Sequence, residues 1–289
     1  MVKGKGISPT CELARMFDIA LVTCSDYPEL HPEDALLKQA LESVGLSSRA
    51  RIWDDQNAPN PAKGWLMRTA WDYTAKSQEF LKWLKTLPAK RCWNSPGLMA
   101  WNVHKRYVLD LESCGCAVVP TELFYRGSKP KLASRSGRWV AKPAISAGSR
   151  GALHGQWSMI EPHLQHLLEL HDVLLQPYYD GVETYKERSL IFVDGLFQHA
   201  VTRTVALLEG RGVDRIHPRA EPTSAEMACA QKIVASLKEV PLYARVDLIP
   251  DPQANPVLLE LEVIEPQLFL LEAPETAQAI ATALLRRLG

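Results

Sequence analysis

The sequence lacks the cysteine pattern of a disulfide-rich protein. Its six cysteines are scattered over 289 residues, and no two of them form a Cys-x-x-Cys pair. Small secreted domains concentrate cysteines in a short chain, whereas scattered cysteines in a chain of this length are typical of reduced thiols in the cytosol. We therefore expect free thiols and no disulfide framework.

Net charge and long apolar runs are also missing. Lys+Arg 33 balances Asp+Glu 33, so no overall field attracts nucleic acid or an anionic membrane. No apolar run approaches the length of a transmembrane helix, and the first residues lack the apolar segment of a signal peptide. These absences predict a cytoplasmic protein that binds neither nucleic acid nor membranes.

The composition is that of a folded chain, with 46% hydrophobic and 23% charged residues. Its length allows two domains or one large α/β unit. Continuous apolar runs alternate with segments of helical spacing in the first third of the chain, which favours an open α/β layer. The predicted strands are 18–24, 48–53 and 65–69, the predicted helices are 32–44 and 77–87, and turn formers at 92–97 mark a domain boundary.

The rest of the chain mixes further strands and helices. We expect a polar, exposed loop at 126–137 and a loop of small residues at 144–151. An Asp-Gly pair at 194–195 predicts a hairpin turn. The predicted helices are 100–114, 160–170, 224–237 and 274–288, and the predicted strands are 117–120, 138–142, 173–176, 187–193 and 196–203.

The segment 243–266 has the pattern of an antiparallel hairpin. Two apolar runs flank residues 250–256, which are rich in turn formers. Side chains alternate between the two faces of a strand, so the register decides which charges meet. With the turn centred between residues 253 and 254, the opposed pairs are Arg245 with Glu262 and Asp247 with Glu260.

Three carboxylates and one arginine would then share one face of this hairpin. Like charges directly opposite each other are destabilising. Magnesium would remove the conflict because it takes hard oxygen ligands, including carboxylates and phosphates. The alternative is that Arg245 neutralises Glu262 while the other two acids are solvated.

Two lysines and a loop add to this pattern. Lys142 ends a predicted strand and precedes a loop containing Gly148 and Gly151, where a backbone can approach anionic oxygens closely. The loop lacks the Gly-Lys-Ser/Thr ending of a P-loop. Lys105 lies on the predicted helix 100–114. A solvated lysine and an ordinary surface loop are the alternatives for these features.

The order of these features resembles the ATP-grasp superfamily, on the branch near glutathione synthetases and D-alanine–D-alanine ligases. This resemblance implies a mixed α/β and α+β protein in which two lobes grip ATP between two sheets and an N-terminal open α/β domain helps to bind substrate. The implied domains are 1–97, 98–176 with the lid loop, and 177–289 with the magnesium-binding hairpin.

Short motifs narrow the resemblance. The chain is similar to bacterial ATP-grasp proteins grouped with the O-ureidoserine cyclo-ligase of D-cycloserine biosynthesis. The motifs that carry this similarity are Arg68-Thr-Ala-Trp-Asp-Tyr73, Trp101-Asn-x-x-Lys105, Ser146-Ala-Gly148, Ser189-Leu-Ile-Phe, His199-Ala-Val and Ile264-Glu-Pro.

The resemblance also implies roles for individual residues. One departure is Glu262, because the superfamily usually has Asn there, and this puts the number of magnesium ions in doubt. The implied phosphate ligands are Lys105 and Lys142, the lid over the γ-phosphate runs from Ser146 through Gly148 to Gly151, and adenine is read by Gln176 and the backbone up to Tyr178. Either Glu183 or Glu187 would bind the ribose, the metal ligands would be Asp247, Glu260 and Glu262, and the catalytic candidates are Arg245, Arg203, Ser149 and Arg150.

Other polar residues have two interpretations each. His199 and Arg203 share a face of one predicted strand and would contact substrate or form a plain cross-strand pair. Arg68 and Asp72 suit the carboxylate and amine of an amino-acid substrate, or form a structural pair.

The expected function is that of a ligase dependent on ATP and magnesium, with manganese as an alternative ion. It would join a carboxylate of a small amino-acid-like or peptide substrate to an amine through an acyl phosphate, releasing ADP and phosphate. The alternatives are an intramolecular cyclo-ligase of the O-ureidoserine type in amino-acid antibiotic biosynthesis and a non-catalytic ATP-binding regulatory protein. A homodimer is left open.

Overall fold

The N-terminal part of the chain forms a parallel sheet of four strands. A computed structural model describes residues 16–55, 62–208 and 211–289. The strand order is β2-β1-β3-β4, and helices flank the sheet. The strands are β1 (Phe17–Thr23), β2 (Ser48–Ile52), β3 (Ala62–Thr69) and β4 (Cys92–Trp93), and the helices are α1 (Asp34–Ser43) and α2 (Ser77–Leu84). The predicted elements of this region are confirmed to within a few residues, but the two-residue β4 was missed.

A small antiparallel sheet follows, in the order β5-β8-β6-β7. Its apolar face packs on one helix through Ile160 and Leu164. The elements are α3 (Pro96–Asn102), α4 (Tyr107–Ser113), β5 (Glu122–Phe124), β6 (Arg138–Pro143), β7 (Leu153–Gln156), α5 (Trp157–Leu168) and β8 (Val173–Pro177). The predicted strand at 117–120 is reduced to a single bridge, between Val118 and Leu258.

The C-terminal part forms an antiparallel sheet of five strands in the order β11-β10-β9-β12-β13. Helix α7 begins with a capping box in which Thr223 and Glu226 satisfy each other's backbone amides. The elements are α6 (Gly181–Tyr185), β9 (Glu187–Val193), β10 (Leu196–Leu208), β11 (Arg211–Ala220), α7 (Ser224–Ala235), β12 (Tyr243–Pro250), β13 (Pro256–Glu262) and α8 (Glu275–Leu288). Strand β11 was not predicted.

One face of this last sheet is divided into an apolar end and a charged end. At the apolar end, Ile191 and Tyr243 share a core with α8 and with the N-terminal strand β1. At the other end the same face carries Glu187, Arg203 and Arg245, which line a cavity. The sheet thus joins the first lobe through its apolar end and presents its charges to the central sheet.

The hairpin β12–β13 pairs as predicted, but a bulge is needed to produce the pairing. Near the turn, Leu248 pairs with Leu258, which centres the turn on Gln253. One extra residue, Leu259, then shifts the register, so that Asp247 still lies opposite Glu260. Without this bulge the two β13 glutamates would point to the face opposite Asp247.

The predicted single helix 100–114 is wrong, because the chain is broken between α3 and α4. The amide of Lys105 donates to Ala144 O at 2.8 Å, and the amide of Arg106 donates to Nδ1 of His104 at 3.0 Å. These bonds replace the helical ladder. Lys105 therefore lies in a turn rather than on a helix.

The five cysteines in the described ranges are free, and the sixth, Cys11, lies outside them. Within the described ranges, no helix is both long and apolar enough to cross a membrane.

Candidate active site

A cavity of about 460 Å³ lies between the central sheet and the charged end of the C-terminal sheet. Strand β6 and the loop after it form one wall, and strands β9, β10, β12 and β13 form the other. The N-terminal lobe closes one end with Trp71 and Tyr73. The predicted residues that line the cavity are Lys105, Lys142, Ser146, Gly148, Ser149, Arg150, Gln176, Tyr178, Glu187, Arg203, Arg245, Glu260 and Glu262.

Three carboxylates meet on the sheet side of the cavity. Asp247, Glu260 and Glu262 each offer an oxygen, and these oxygens lie within 4.8 Å of one another. Asp247 is fully buried beneath the cavity surface and accepts a hydrogen bond from Ser189 Oγ at 2.6 Å. An all-carboxylate set of this size fits a hard cation such as magnesium.

Two buried arginines hold these like charges together. Arg245 donates to Asp247 at 2.9 to 3.1 Å and also forms an ion pair with Glu262. Arg203 pairs with Glu187 and lies 3.2 Å from Asp247. Because each arginine bridges two acids, the cluster is neutralised in part by the protein itself.

The carboxylates differ in their affinity for protons. Burial acts to raise the pKa of Glu260, but Lys105 and Lys142 outweigh it and lower this pKa to about 2. Burial raises the pKa of Glu262 to about 7 against the opposing effect of Arg245, with Glu260 and Asp247 adding to the rise. Glu260 is therefore a permanent anion, and Glu262 gains its full charge only when a further cation is near.

The two lysines face the same carboxylates. The Nζ of Lys105 lies 2.5 Å from Glu260 and 3.0 Å from the carbonyl oxygen of Ser146. Lys142 forms no salt bridge among the described residues, and burial lowers its pKa to about 8. A half-buried ammonium that forms no salt bridge among the described residues fits a binding site for an anion such as a phosphate.

The loop after β6 is shaped by residues with positive φ. Gly148 and Ser149 have φ of +58° and +56°. Gly151 has φ of +74°, and a Cβ there would lie 2.9 Å from Cγ of Pro143. A side chain at position 151 would thus meet both backbone strain and a steric clash.

Comparisons with known proteins show which chains this one is similar to. Residues 19–94 match the family model of the D-cycloserine synthetase DcsG N-terminal domain. The chain is 28% identical to the cycloserine biosynthesis protein DcsG of Streptomyces lavendulae, over 93% of this chain and 98% of that protein. The crystal structure of D-cycloserine synthetase DcsG has a TM-score of 0.83 at 26% identity, covering 94% of this chain and 99% of that one.

More distant structures share the fold. The D-alanine–D-alanine ligase from Bacillus anthracis complexed with ATP has a TM-score of 0.62 at 12% identity and covers 94% of this chain and 97% of its own. The ATP-grasp ligase PsnB, in a complex with Mg and ADP, has a TM-score of 0.63 at 12% identity, with coverage of 95% and 99%. The chain is an ATP-grasp protein. The predicted superfamily and fold class are confirmed.

The two candidate ribose acids of this ATP-grasp protein lie in different places. Glu187 is buried beside Arg203 and faces the cavity, where burial raises its pKa to about 7. Glu183 lies outside the cavity lining, bonded to Arg138 at 2.7 Å and to the Tyr178 hydroxyl at 3.1 Å. Glu183 therefore lies at the rim of the cavity. Glu187 lies on the charged end of the C-terminal sheet, which forms the floor of the cavity.

The adenine-side segment is held by polar and aromatic contacts. Gln176 donates from its side chain to Thr121 Oγ1 at 2.8 Å. The Tyr178 ring stacks on His154 at 4.6 Å, and the guanidinium of Arg138 lies 4.4 Å from its other face. His154 lines the cavity and was not anticipated.

Three residues that were considered as substrate contacts, Arg68, Asp72 and His199, lie outside the cavity lining. Arg68 is buried and pairs with Asp34 at 2.7 Å. Asp72 accepts a hydrogen bond from Trp53 Nε1 at 2.7 Å. His199 is covered by α8 and contacts Thr276 at 2.9 Å, because only the other end of its strand reaches the cavity. The expected pairs between Arg68 and Asp72 and between His199 and Arg203 are not formed, because Arg68, Asp72 and His199 each bond to another part of the fold.

Several cavity residues of the ATP-grasp protein were missed. Their sequence signal was present, since most of them fall within the short motifs quoted for the bacterial group, but spacing alone gives them no role. These residues are Trp71, Tyr73, Asn102, His154, Glu265 and Gln267.

Proposed function

We propose that this protein is an ATP-dependent ligase that uses magnesium to join a carboxylate to an amine through an acyl phosphate, with ADP and phosphate as products. The observation that carries the proposal is the meeting of three carboxylates and two lysines around one cavity. This set matches what phosphoryl transfer requires, namely positioning and neutralisation of phosphate charge.

The proposed role of each cavity residue follows from its charge. Asp247, Glu260 and Glu262 would hold magnesium, which neutralises phosphate charge when it is bound. Lys142 would bind a phosphate directly, because it faces the cavity and forms no salt bridge within the part of the chain that the structure describes. Lys105, held by Glu260 and the loop carbonyl of Ser146, would link the carboxylate floor to the lid.

The remaining candidates would act on the reacting groups. Arg245 would stabilise the transferring phosphoryl or the oxyanion that forms when the amine attacks. Ser149 and Arg150 lie in the loop 146–151, which would cover the phosphates and keep water from the acyl phosphate. Gln176 and Tyr178 would position adenine, and Glu183 at the rim would bind the ribose.

Ring closure within one substrate is a second candidate function. The observation that favours it is the relation to DcsG, which extends over 98% of that protein and gives a TM-score of 0.83 with its crystal structure. Cyclisation needs one organic substrate, whereas ligation needs two. Mass spectrometry of the product separates the two reactions.

The proposal is tested by ADP release with a panel of amino acids, in the wild type and in an Asp247→Asn, Glu260→Gln double variant. We expect the double variant to lose at least a hundredfold in turnover, because each lost charge interaction costs on the order of 3 kcal/mol in the transition state. The matched controls are Asp26→Asn and Glu221→Gln, which replace exposed acids.

Two results would contradict this function. Full turnover in the double variant would exclude the carboxylate cluster as the metal site. A nucleotide-dependent rise in the melting temperature without ADP release from any substrate would instead favour a regulatory ATP-binding protein.

A further inference from the structure

Glu265 is a buried acid that the proposed reaction does not use. The residue is 7% exposed and lines the cavity at the end closed by the N-terminal lobe. Among the described residues, no lysine, arginine or histidine forms a salt bridge with it. Lys105 and Arg245 act to lower its pKa without forming an ion pair with it, and burial outweighs them.

Every other acid of the cavity and its floor has a cationic partner. Glu260 pairs with Lys105 at 2.5 Å, Glu187 pairs with Arg203, and Glu262 pairs with Arg245. An unpaired buried carboxylate is costly, and charges are retained in such places when a cation completes them. Glu265 therefore lacks a partner that its neighbours already have.

The surroundings of Glu265 suit a small organic cation. The indole Nε1 of Trp71 donates to the carbonyl oxygen of Glu265 at 3.0 Å, which fixes this segment against the N-terminal lobe. Trp71 is itself held edge-on by Tyr27 at 5.0 Å. Together, Trp71 and Tyr73 add aromatic surface beside the carboxylate, and such rings attract ammonium groups.

The acid that the sequence predicted as a ligand of a substrate amine is not available to bind this ammonium group. Asp72, the other acid considered for a substrate amine, is engaged by Trp53 and by Lys76 at 3.2 Å. Burial, reinforced by Glu262, raises the pKa of Glu265, and a bound cation would offset that cost.

We propose that Glu265, beside Trp71 and Tyr73, is the specificity residue that binds a primary ammonium group of the substrate. This inference rests on the proposed ligase function and adds to it the chemical class of the group recognised. The substrate would thus be an amino compound, with its ammonium group held at the end of the cavity that the N-terminal lobe closes.

The test measures binding in the presence of the ATP analogue AMPPNP and magnesium. The probes are a panel of D- and L-amino acids, their N-acetyl derivatives and the matching hydroxy acids. The proteins are wild type, Glu265→Gln, which removes the charge at constant size, Glu265→Asp, which keeps the charge, and the exposed control Glu221→Gln. AMPPNP affinity is measured separately for each protein.

We expect the strongest amino-acid probe to lose at least tenfold in affinity on N-acetylation or deamination. The same loss should follow Glu265→Gln and be partly restored in Glu265→Asp, while AMPPNP affinity stays unchanged and Glu221→Gln behaves as wild type. Equal binding of amine and N-acetyl probes, wild-type affinity in Glu265→Gln, or no amine binding to a nucleotide-loaded wild type would each overturn the inference. Failure of AMPPNP to bind would instead contradict the ligase function itself.

Discussion

Glu262 carries the charge by which this carboxylate cluster departs from the usual ATP-grasp pattern, in which Asn occupies its place. Its carboxylate pairs with Arg245 and shares a binding region with Asp247 and Glu260. We predict that Glu262→Asn raises the half-saturating magnesium concentration for ADP release by about tenfold, because one anionic ligand is lost.

The charge-retaining variant Glu262→Asp is the control and should stay within about threefold of wild type. A magnesium titration of ADP release measures all three proteins. An unchanged magnesium requirement in Glu262→Asn would mean that Glu262 serves Arg245 rather than the metal.

His199 makes stability depend on pH. Burial, assisted by Arg219, lowers its pKa to about 4, so the folded protein keeps it neutral. Below its ordinary pKa of about 6.5, the unfolded chain binds a proton that the folded chain does not take up until about pH 4. Stability is therefore lost as the pH falls from 6.5 to 4, by at most about 3 kcal/mol.

We predict that His199→Asn, which can still bond to Thr276, removes this loss. Denaturant unfolding between pH 4 and pH 7 would show the gap between the wild type and His199→Asn changing in favour of the variant as the pH falls. Parallel curves for the two proteins would contradict the prediction.

At the residue scale, sequence pattern could find charges but not their surroundings. Lys142 was predictable because it ends a strand before a loop of small residues. Glu265 was not, because its importance lies in the absence of a cationic neighbour, and neighbours are set by the packing of three lobes. The same applies to Arg68, whose charge gives no sign of the buried Asp34 that pairs with it.

At the scale of elements, the break between α3 and α4 positions Lys105. Asn102, at the end of α3, donates to Leu261 O at 2.9 Å and accepts from the amide of Val263 at 3.1 Å. We predict that Asn102→Ala costs about 2 to 3 kcal/mol of unfolding free energy, since it leaves buried backbone groups without partners. It should also weaken nucleotide binding, because Lys105 loses its support beside Glu260.

Chemical denaturation and AMPPNP titration test both parts of this prediction. The control is Gln253→Ala in the exposed turn of the hairpin β12–β13. This change should alter the free energy of unfolding by less than about 0.5 kcal/mol. Wild-type stability in Asn102→Ala would show that water can replace the asparagine amide at this site.

The hairpin β12–β13 shows what an element-level prediction can reach. Alternation and turn formers predicted that Asp247 faces Glu260, and this pairing is present, but the turn is centred on Gln253 rather than between residues 253 and 254. The bulge at Leu259 could not be predicted from the sequence, because an extra residue in one strand leaves no recognisable pattern in a run of apolar side chains. The helix 100–114 failed for a related reason, since tertiary partners such as Ala144 took the amides that would have continued it.

At the scale of the whole molecule, a buried network joins the first and last lobes. Arg68 binds Asp34 at 2.7 Å and Glu33 at 3.4 Å, and Glu33 accepts from the amides of Leu268 and Leu270. We predict that Arg68→Met lowers the unfolding free energy by about 3 to 5 kcal/mol, because it leaves two buried acids without a cation.

Urea unfolding measures this loss, with the exposed Arg106→Met as control. A variant of normal stability that has lost only substrate affinity would support the other interpretation, in which Arg68 binds a substrate carboxylate. This network could not be predicted from the sequence, since the amides of Leu268 and Leu270 lie 235 and 237 residues along the chain from Glu33.

The outer edge of β13 has a consequence for assembly. On the side away from β12, the amide and carbonyl of Leu258 bond to Ala117 and Val119. The amide of Leu261 donates to the Tyr107 hydroxyl, and the carbonyl of Val263 accepts from Asn94 at 2.8 Å. Asn102 bonds to the carbonyl of Leu261 and the amide of Val263, so these backbone groups also have partners. A second copy of the protein would have to break these bonds to pair with the edge at Leu258, Leu261 and Val263, which protects the hairpin that carries the carboxylates from the edge-to-edge association that leads to aggregation.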